Sequence, residues 1–248
     1  MPQTAPTRTA QSCPQCPIRH SAVCSLCGPS ELAELDAIKT YQTFQAGDVI
    51  AWAGEPQTIV GSVVSGVATL SRTLADGRRQ MVGLLLPSDF IGRSRTQVAP
   101  YDVTAATEVT LCTFRKRAFD EMLDRTMHIE RRLLQMTLDE LDAAREWMLL
   151  LGRKTAREKI ASLLVIVARR DAALHRREVG NGVSFRLPLT REAMADYLGL
   201  TIETVSRQIS ALRKAGVVEM HGTRDVTIPD FGRLLDESGD DADGGIVS

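Results

Sequence analysis

The sequence predicts an α+β chain: an N-terminal antiparallel β-roll, a long dimerisation helix and a C-terminal winged helix-turn-helix. Three observations predict it. Residues 41–114 divide into short β-rich stretches separated by turn signals, at the spacing of about 8–12 residues that marks an antiparallel roll or barrel. From Arg117 the hydrophobic period lengthens, and residues 118–150 contain neither Pro nor Gly, as one long helix requires. Further on, two short segments that open on Thr190 and Thr201 flank Gly199, and a β-rich pair follows them.

Each element follows from local chemistry. Residues 1–12 are polar and are expected to be disordered. Residues 13–29 hold four of the five cysteines. Ser30 is placed to cap a short helix over Glu31–Lys39 that buries Leu32, Leu35 and Ile38. Strands are expected at Val49–Trp52, Val60–Val64, Val67–Ser71, Gln80–Leu86 and Val109–Phe114, with Asp76-Gly77 as a hairpin turn. The domains so defined are the leader and cysteine segment 1–29, the roll 30–117, the dimerisation helix 118–152, the winged-helix domain 153–235 and a disordered acidic tail 236–248.

Within 118–150, Leu134, Thr137, Leu141, Ala144, Met148 and Leu151 recur at spacings of three and four, a coiled-coil-like seam. A helix of that length runs about 45 Å, more than a roll of this size can cover. A symmetric dimer is therefore expected, with Leu134, Leu141, Ala144, Met148 and Leu151 at its interface. A further helix over 154–178 carries Ile160, Leu163, Leu164, Ile166 and Val167.

The helix-turn-helix is the most specific signal. Thr190 caps a first helix, Gly199 supplies the positive φ of a tight turn, Thr201 caps a second helix and Gly216 ends it. Met194, Leu198, Val205, Ile209 and Leu212 form the shared apolar face. Val217–Met220, the turn His221–Arg224 and Asp225–Ile228 form the wing hairpin. On the second helix Glu203, Ser206 and Arg207 share one exposed face. In a major groove Arg207 donates to guanine, Glu203 accepts from the cytosine amino group, and Ser206 meets either edge or a thymine methyl. Thr190, Thr201 and Arg213 are expected to contact phosphate and set register.

Charge agrees once the chain is divided. The 248 residues carry a formal net charge of −1. Residues 152–233 hold 15 Lys/Arg and 9 Asp/Glu, a net of +6, and the remainder holds 15 and 22, a net of −7. A basic part joined to an acidic remainder is the asymmetry of a nucleic-acid module attached to a sensing or assembly module. No apolar run is long enough to span a membrane, and Met1–Gln11 lacks the apolar core of a secretory signal, so the chain is expected to be cytoplasmic. No paired catalytic carboxylates, nucleophile–base motif or phosphate-binding glycine loop marks an enzyme.

Cys13, Cys16, Cys24 and Cys27 follow a C-x2-C-x7-C-x2-C spacing, and Cys112 lies far downstream. In a reducing compartment such a cluster points to metal rather than disulfides. Paired thiolates from tight turns suit either zinc or an iron–sulfur cluster, and the spacing leaves both open.

Roll, long helix and winged helix in this order resemble the CRP/FNR superfamily of bacterial transcription regulators over about residues 30–233. Glu203-Thr-Val-Ser206-Arg207 resembles the base-reading motif of its FNR branch. The N-terminal cysteines with Cys112 just before the long helix look similar to the FnrL group of oxygen-responsive regulators. The resemblance implies a cupin-like, cyclic-nucleotide-binding-like roll. It also implies a [4Fe–4S] cluster on Cys13, Cys16, Cys24 and Cys112, with Cys27 as a possible substitute for Cys24. It implies a homodimer on palindromic double-stranded DNA of the TTGAT-N4-ATCAA type, inactivated by oxygen through cluster loss and monomerisation, with RNA polymerase as partner. A zinc-stabilised or ligand-responsive regulator of the CRP type is the alternative. The superfamily's cyclic-nucleotide branch needs an acid and an Arg-Ser pair in the roll; here Arg93-Ser94 lies close to Gly92, so no cyclic nucleotide is expected. His20, His128, His175 and His221 are scattered and read as surface or capping residues rather than haem ligands.

Overall fold

The computed structural model describes residues 12–239. The expected disorder of the leader therefore falls, apart from Ser12, outside the described residues, as does the tail beyond 239. The chain divides between Thr137 and Leu138 into two compact units.

The first unit opens with the cysteine segment, which is folded. Cys13–Gln15 make a 3-10 turn with Pro14 in its first positions, and successive turns follow to Leu26. Ile18, Ala22 and Val23 are almost wholly buried, which anchors the segment through apolar contact. Helix α1 (Pro29–Ile38) starts two residues earlier than the sequence suggests. Its cap is Gly28, not Ser30: the Glu31 carboxylate accepts the Gly28 N–H at 2.7 Å, and Pro29 needs no partner at the first helical position.

Two four-stranded antiparallel sheets form the roll. One has the order β1 (Lys39–Phe44), β8 (Val109–Arg115), β3 (Ile59–Ser65), β6 (Phe90–Ile91); the other has β2 (Val49–Ala51), β7 (Asp102–Ala105), β4 (Ala68–Thr73), β5 (Arg79–Leu85). Val63, Ile91, Val109 and Leu111 of the first sheet meet Ala68, Leu85, Val103 and Ala105 of the second, and this is the core. Asp76-Gly77 turns β4 into β5 with Gly77 at φ +86°. Strands β1, β6 and β7 were not expected: β6 has two residues, β7 has four, and β1 points only Tyr41 fully inward.

The expected single helix over 118–150 is two helices. Helix α2 (Lys116–Leu123) ends at Asp124, and α3 runs Met127–Arg153. The break has a tertiary cause. Phe119, Met122 and Leu123 anchor α2, while Ile129 anchors α3 separately. Between them Asp124 pairs with Arg95 at 2.6 Å and Arg125 with Glu34 at 3.7 Å. The Thr126 carbonyl then accepts from Ile129 and Glu130 to open α3. At 1.5 Å per residue α3 still runs about 40 Å.

The second unit holds α4 (Ala156–Leu174), a three-stranded sheet of order β10 (Glu219–His221), β11 (Asp225–Ile228), β9 (Val183–Arg186), and the helices α5 (Arg191–Leu198), α6 (Ile202–Lys214) and α7 (Phe231–Ser238). Helix α7 corrects the expected tail from 236. Asp230 caps it, Phe231 and Leu234 are buried, Glu237 pairs with Arg157, and the Ser238 carbonyl accepts from Ser162.

Candidate cysteine cluster and nucleic-acid interface

The cysteine loop is held by its own polar groups. The Arg19 guanidinium donates to the carbonyls of Ser25 at 2.8 Å and Cys27 at 2.7 Å, closing the loop that carries Cys24. Asp36 accepts the Cys13 N–H at 3.0 Å and the Lys39 ammonium at 2.6 Å. Lys39 also donates to the Cys13 sulfur at 3.5 Å. The Asp36 carboxyl is held down at about 2, first by Lys39 and then by the Cys13 N–H. Burial opposes the charge on Lys39, but Asp36 and Cys13 outweigh it and raise its pKa.

Cys112 lies in the middle of β8, in register with Tyr41 of β1 and Ser62 of β3. Burial pushes its thiol far above the usual range, and the thiolates of Cys16, Cys13 and Cys24 add to the shift. Those three sulfurs are thus close enough to act on Cys112, so loop and strand bring the expected ligand set into one neighbourhood. Cys27 is buried beside Cys24, which with burial pushes it up to about 12. Cys13 is raised to about 11, by burial and then by its Asp36 contact; burial also raises Cys24. All five are free thiols. Among the described residues no three or more thiol, imidazole or carboxylate groups converge tightly enough to hold a single metal ion. The Tyr41 hydroxyl is buried with no hydrogen-bond partner among the described residues, and the nearby Cys112, Cys16 and Cys13 raise its pKa after burial does. The Tyr41 hydroxyl thus stands buried beside three thiols.

This loop is joined to the start of α3. Arg132 donates to the Ser21 carbonyl at 2.6 Å, and His128 meets the Glu31 carboxylate at 2.9 Å. Ser21 also shares a 2.6 Å hydroxyl contact with Ser88, which is held at φ +84°. Arg132 and Ser21 lie 111 residues apart, and nothing local in the sequence marks the pair.

Along α3, Leu134, Leu138, Leu141 and Met148 are 60%, 48%, 45% and 66% exposed. Leu138 occupies the stripe where the sequence reading placed Thr137, whose hydroxyl instead bonds back to the Leu133 carbonyl. Ala144 is exposed and Leu151 half-buried.

The elements of the helix-turn-helix form as the sequence indicates. Thr190 accepts from the Ala193 N–H and Thr201 from the Thr204 N–H. Gly199 adopts φ +62° between the helices. Met194, Leu198, Val205, Ile209 and Leu212 are buried, so Glu203, Ser206 and Arg207 are left on the exposed face of α6. Its own backbone and the Thr201 hydroxyl hold the Glu203 carboxyl below the usual range, keeping it an acceptor. Arg213 and Thr190 are exposed; the Thr201 hydroxyl donates to Thr204. The sequence reading missed Trp147, which stacks on Tyr197 of α5 with ring centroids 3.8 Å apart.

In the roll, Ser94 donates to Asp120 at 2.8 Å, and Arg95 is tied to Asp120 and Asp124. His128 pairs with Glu31 and His175 caps α4, both at the surface. Among the described residues no helix is long and apolar enough to cross a membrane.

Roll, long helix and winged helix define a transcription regulator with a helix-turn-helix DNA-binding domain. The Crp-like helix-turn-helix domain family matches residues 158–237, and the cyclic nucleotide-binding domain family matches residues 41–126. The chain belongs to the CRP/FNR superfamily of transcription regulators, in its FNR branch, and this is a family of regulators rather than enzymes. It is similar to the transcriptional activator protein FnrL of Cereibacter sphaeroides, 62% identical over 94% of each chain. It is 37% identical to the nitrogen fixation regulation protein FixK of Bradyrhizobium diazoefficiens, over 85% of this chain and 87% of that one. The solved structure of FixK2 from Bradyrhizobium japonicum superposes with a TM-score of 0.71 at 30% identity, over 81% of this chain and 97% of that one.

Proposed function

We propose that the chain is an oxygen-responsive transcriptional activator that works in the cytoplasm. It binds a palindromic TTGAT-N4-ATCAA-type site as a homodimer when Cys13, Cys16, Cys24 and Cys112 hold a [4Fe–4S] cluster, with Cys27 available in place of Cys24. The observation that carries this reading is the grouping of Cys16, Cys13 and Cys24 around Cys112, four thiols drawn from a folded loop and a sheet strand. The donor set fits: four thiolates are the usual holders of such a cluster, and the orphaned Tyr41 hydroxyl supplies a donor beside them. Relatives named as activators, FnrL and anr of Pseudomonas aeruginosa, support the sign of regulation.

When bound, the cluster supplies an oxygen-labile cross-link between the N-terminal loop and the roll. The chain's own residues do the rest. Arg132 ties the loop, and His128 the start of α1, to the first turns of α3, so the order of the loop bears on the presentation of Leu134, Leu138, Leu141 and Met148 to a second copy. Two copies then place two Arg207 side chains in successive major grooves, about 34–36 Å apart. RNA polymerase is the partner through which an activator acts.

Anaerobic purification tests the reading. A brown protein with about four irons per chain that bleaches in air supports it; a colourless protein with a single zinc overturns it. The dimer face has its own test. Leu141 is 45% exposed, so Leu141→Ala removes about 1 kcal/mol of apolar burial from each protomer. The dimer dissociation constant then rises roughly thirtyfold, as read by anaerobic sedimentation. Unchanged dimerisation would place the interface elsewhere.

A further inference from the structure

A second contact, outside the ligand set itself, bears on Cys13. Lys39, at the first position of β1, has a side chain only 9% exposed. Its ammonium stands 2.6 Å from Asp36 Oδ1 and 3.5 Å from Cys13 Sγ. The same Asp36 oxygen accepts the Cys13 N–H at 3.0 Å. Cys13 is thus gripped at both ends, its backbone by the carboxylate and its sulfur by the cation that the carboxylate seats. Lys39 also lies over the Tyr41 ring, 5.3 Å from its centroid, so three independent contacts fix it. Four thiolates gathered in a half-buried site concentrate negative charge, and such charge is retained only where a cation or hydrogen-bond donor compensates it. Arg19 directs its guanidinium at the carbonyls of Ser25 and Cys27, whereas Lys39 reaches a sulfur.

We propose that Lys39 is a positioning residue for the metal site: seated by Asp36, it donates to the Cys13 sulfur and holds that thiolate on the cluster. The inference rests on the [4Fe–4S] reading above. It commits Lys39 to governing how firmly iron is retained rather than whether the roll folds.

The test compares wild type, Lys39→Met and Lys39→Arg, each reconstituted with iron and sulfide under strict anaerobiosis. The release of iron to an excess of chelator is then followed without oxygen. Met keeps most of the apolar stem of Lys39 and removes the donor; Arg restores a cation and a donor. Lys39→Met is expected to release iron about tenfold faster than wild type, Lys39→Arg to return most of the retention, and iron-free Lys39→Arg, which keeps a cation for Asp36, to melt with wild type. Equal release from wild type and Lys39→Met overturns the proposal. So does fast release from both variants accompanied by a fall in the iron-free melting temperature, which would make Lys39 merely structural. A wild type that takes up no iron instead overturns the cluster reading, and this proposal with it.

Discussion

Arg207→Ala abolishes sequence-specific DNA binding while leaving general affinity for DNA nearly intact. Arg207 is exposed on α6 because Val205, Ile209 and Leu212 occupy the opposite face and are buried. The Thr201 cap and the Gly199 turn fix where α6 begins, so the register of Arg207 along a groove is set by backbone geometry. A bidentate contact to guanine is worth about 1–3 kcal/mol of discrimination. Two half-sites compound that to a loss of roughly a hundredfold or more on the specific site. Arg213→Ala is the contrasting control, because loss of a phosphate contact weakens all sequences alike and lowers the salt slope by about two, one for each protomer. Competition binding on specific and scrambled duplexes reads both. Specific binding that survives Arg207→Ala, with only a uniform loss, would remove Arg207 from base reading.

Cys112→Ala is expected to strip the chain of its iron. Cys112 is the one candidate ligand in the sheet, in register between Tyr41 and Ser62 in a central strand. As a small buried side chain it is worth only about 1 kcal/mol of packing, so the iron-free variant folds. Cys27→Ala retains iron, because Cys24 is itself the ligand and Cys27 only its substitute. Iron analysis of anaerobically prepared variants separates the two. Full iron content in Cys112→Ala would remove the strand from the site.

The legible and illegible parts of this chain differ in the range of the forces that set them. The helix-turn-helix was readable because its determinants are local: threonine caps, one left-handed glycine and an apolar face repeat within 30 residues. The Asp76-Gly77 hairpin was readable for the same reason. The break between α2 and α3 was not. Residues 124–126 contain no breaker; the separate burial of Met122 and Leu123 on one side and Ile129 on the other accompanies the break, with exposed pairs to Arg95 and Glu34 between them. The last helix was hidden by its acidic composition, although Asp230 before Phe231 and Leu234 carried a cap signal. In the site itself, Asp36, Lys39 and Arg132 act through contacts 23 to 111 residues long. A sequence pattern cannot display such contacts.

The central claim is that the state of the cysteine site governs pairing through α3. Anaerobic sedimentation of one sample, before and after air is admitted, with visible absorbance read in the same cell, tests it most directly. The account predicts a coloured dimer that becomes a colourless monomer, the two changes running together. A protein that loses its colour and remains a dimer would contradict it.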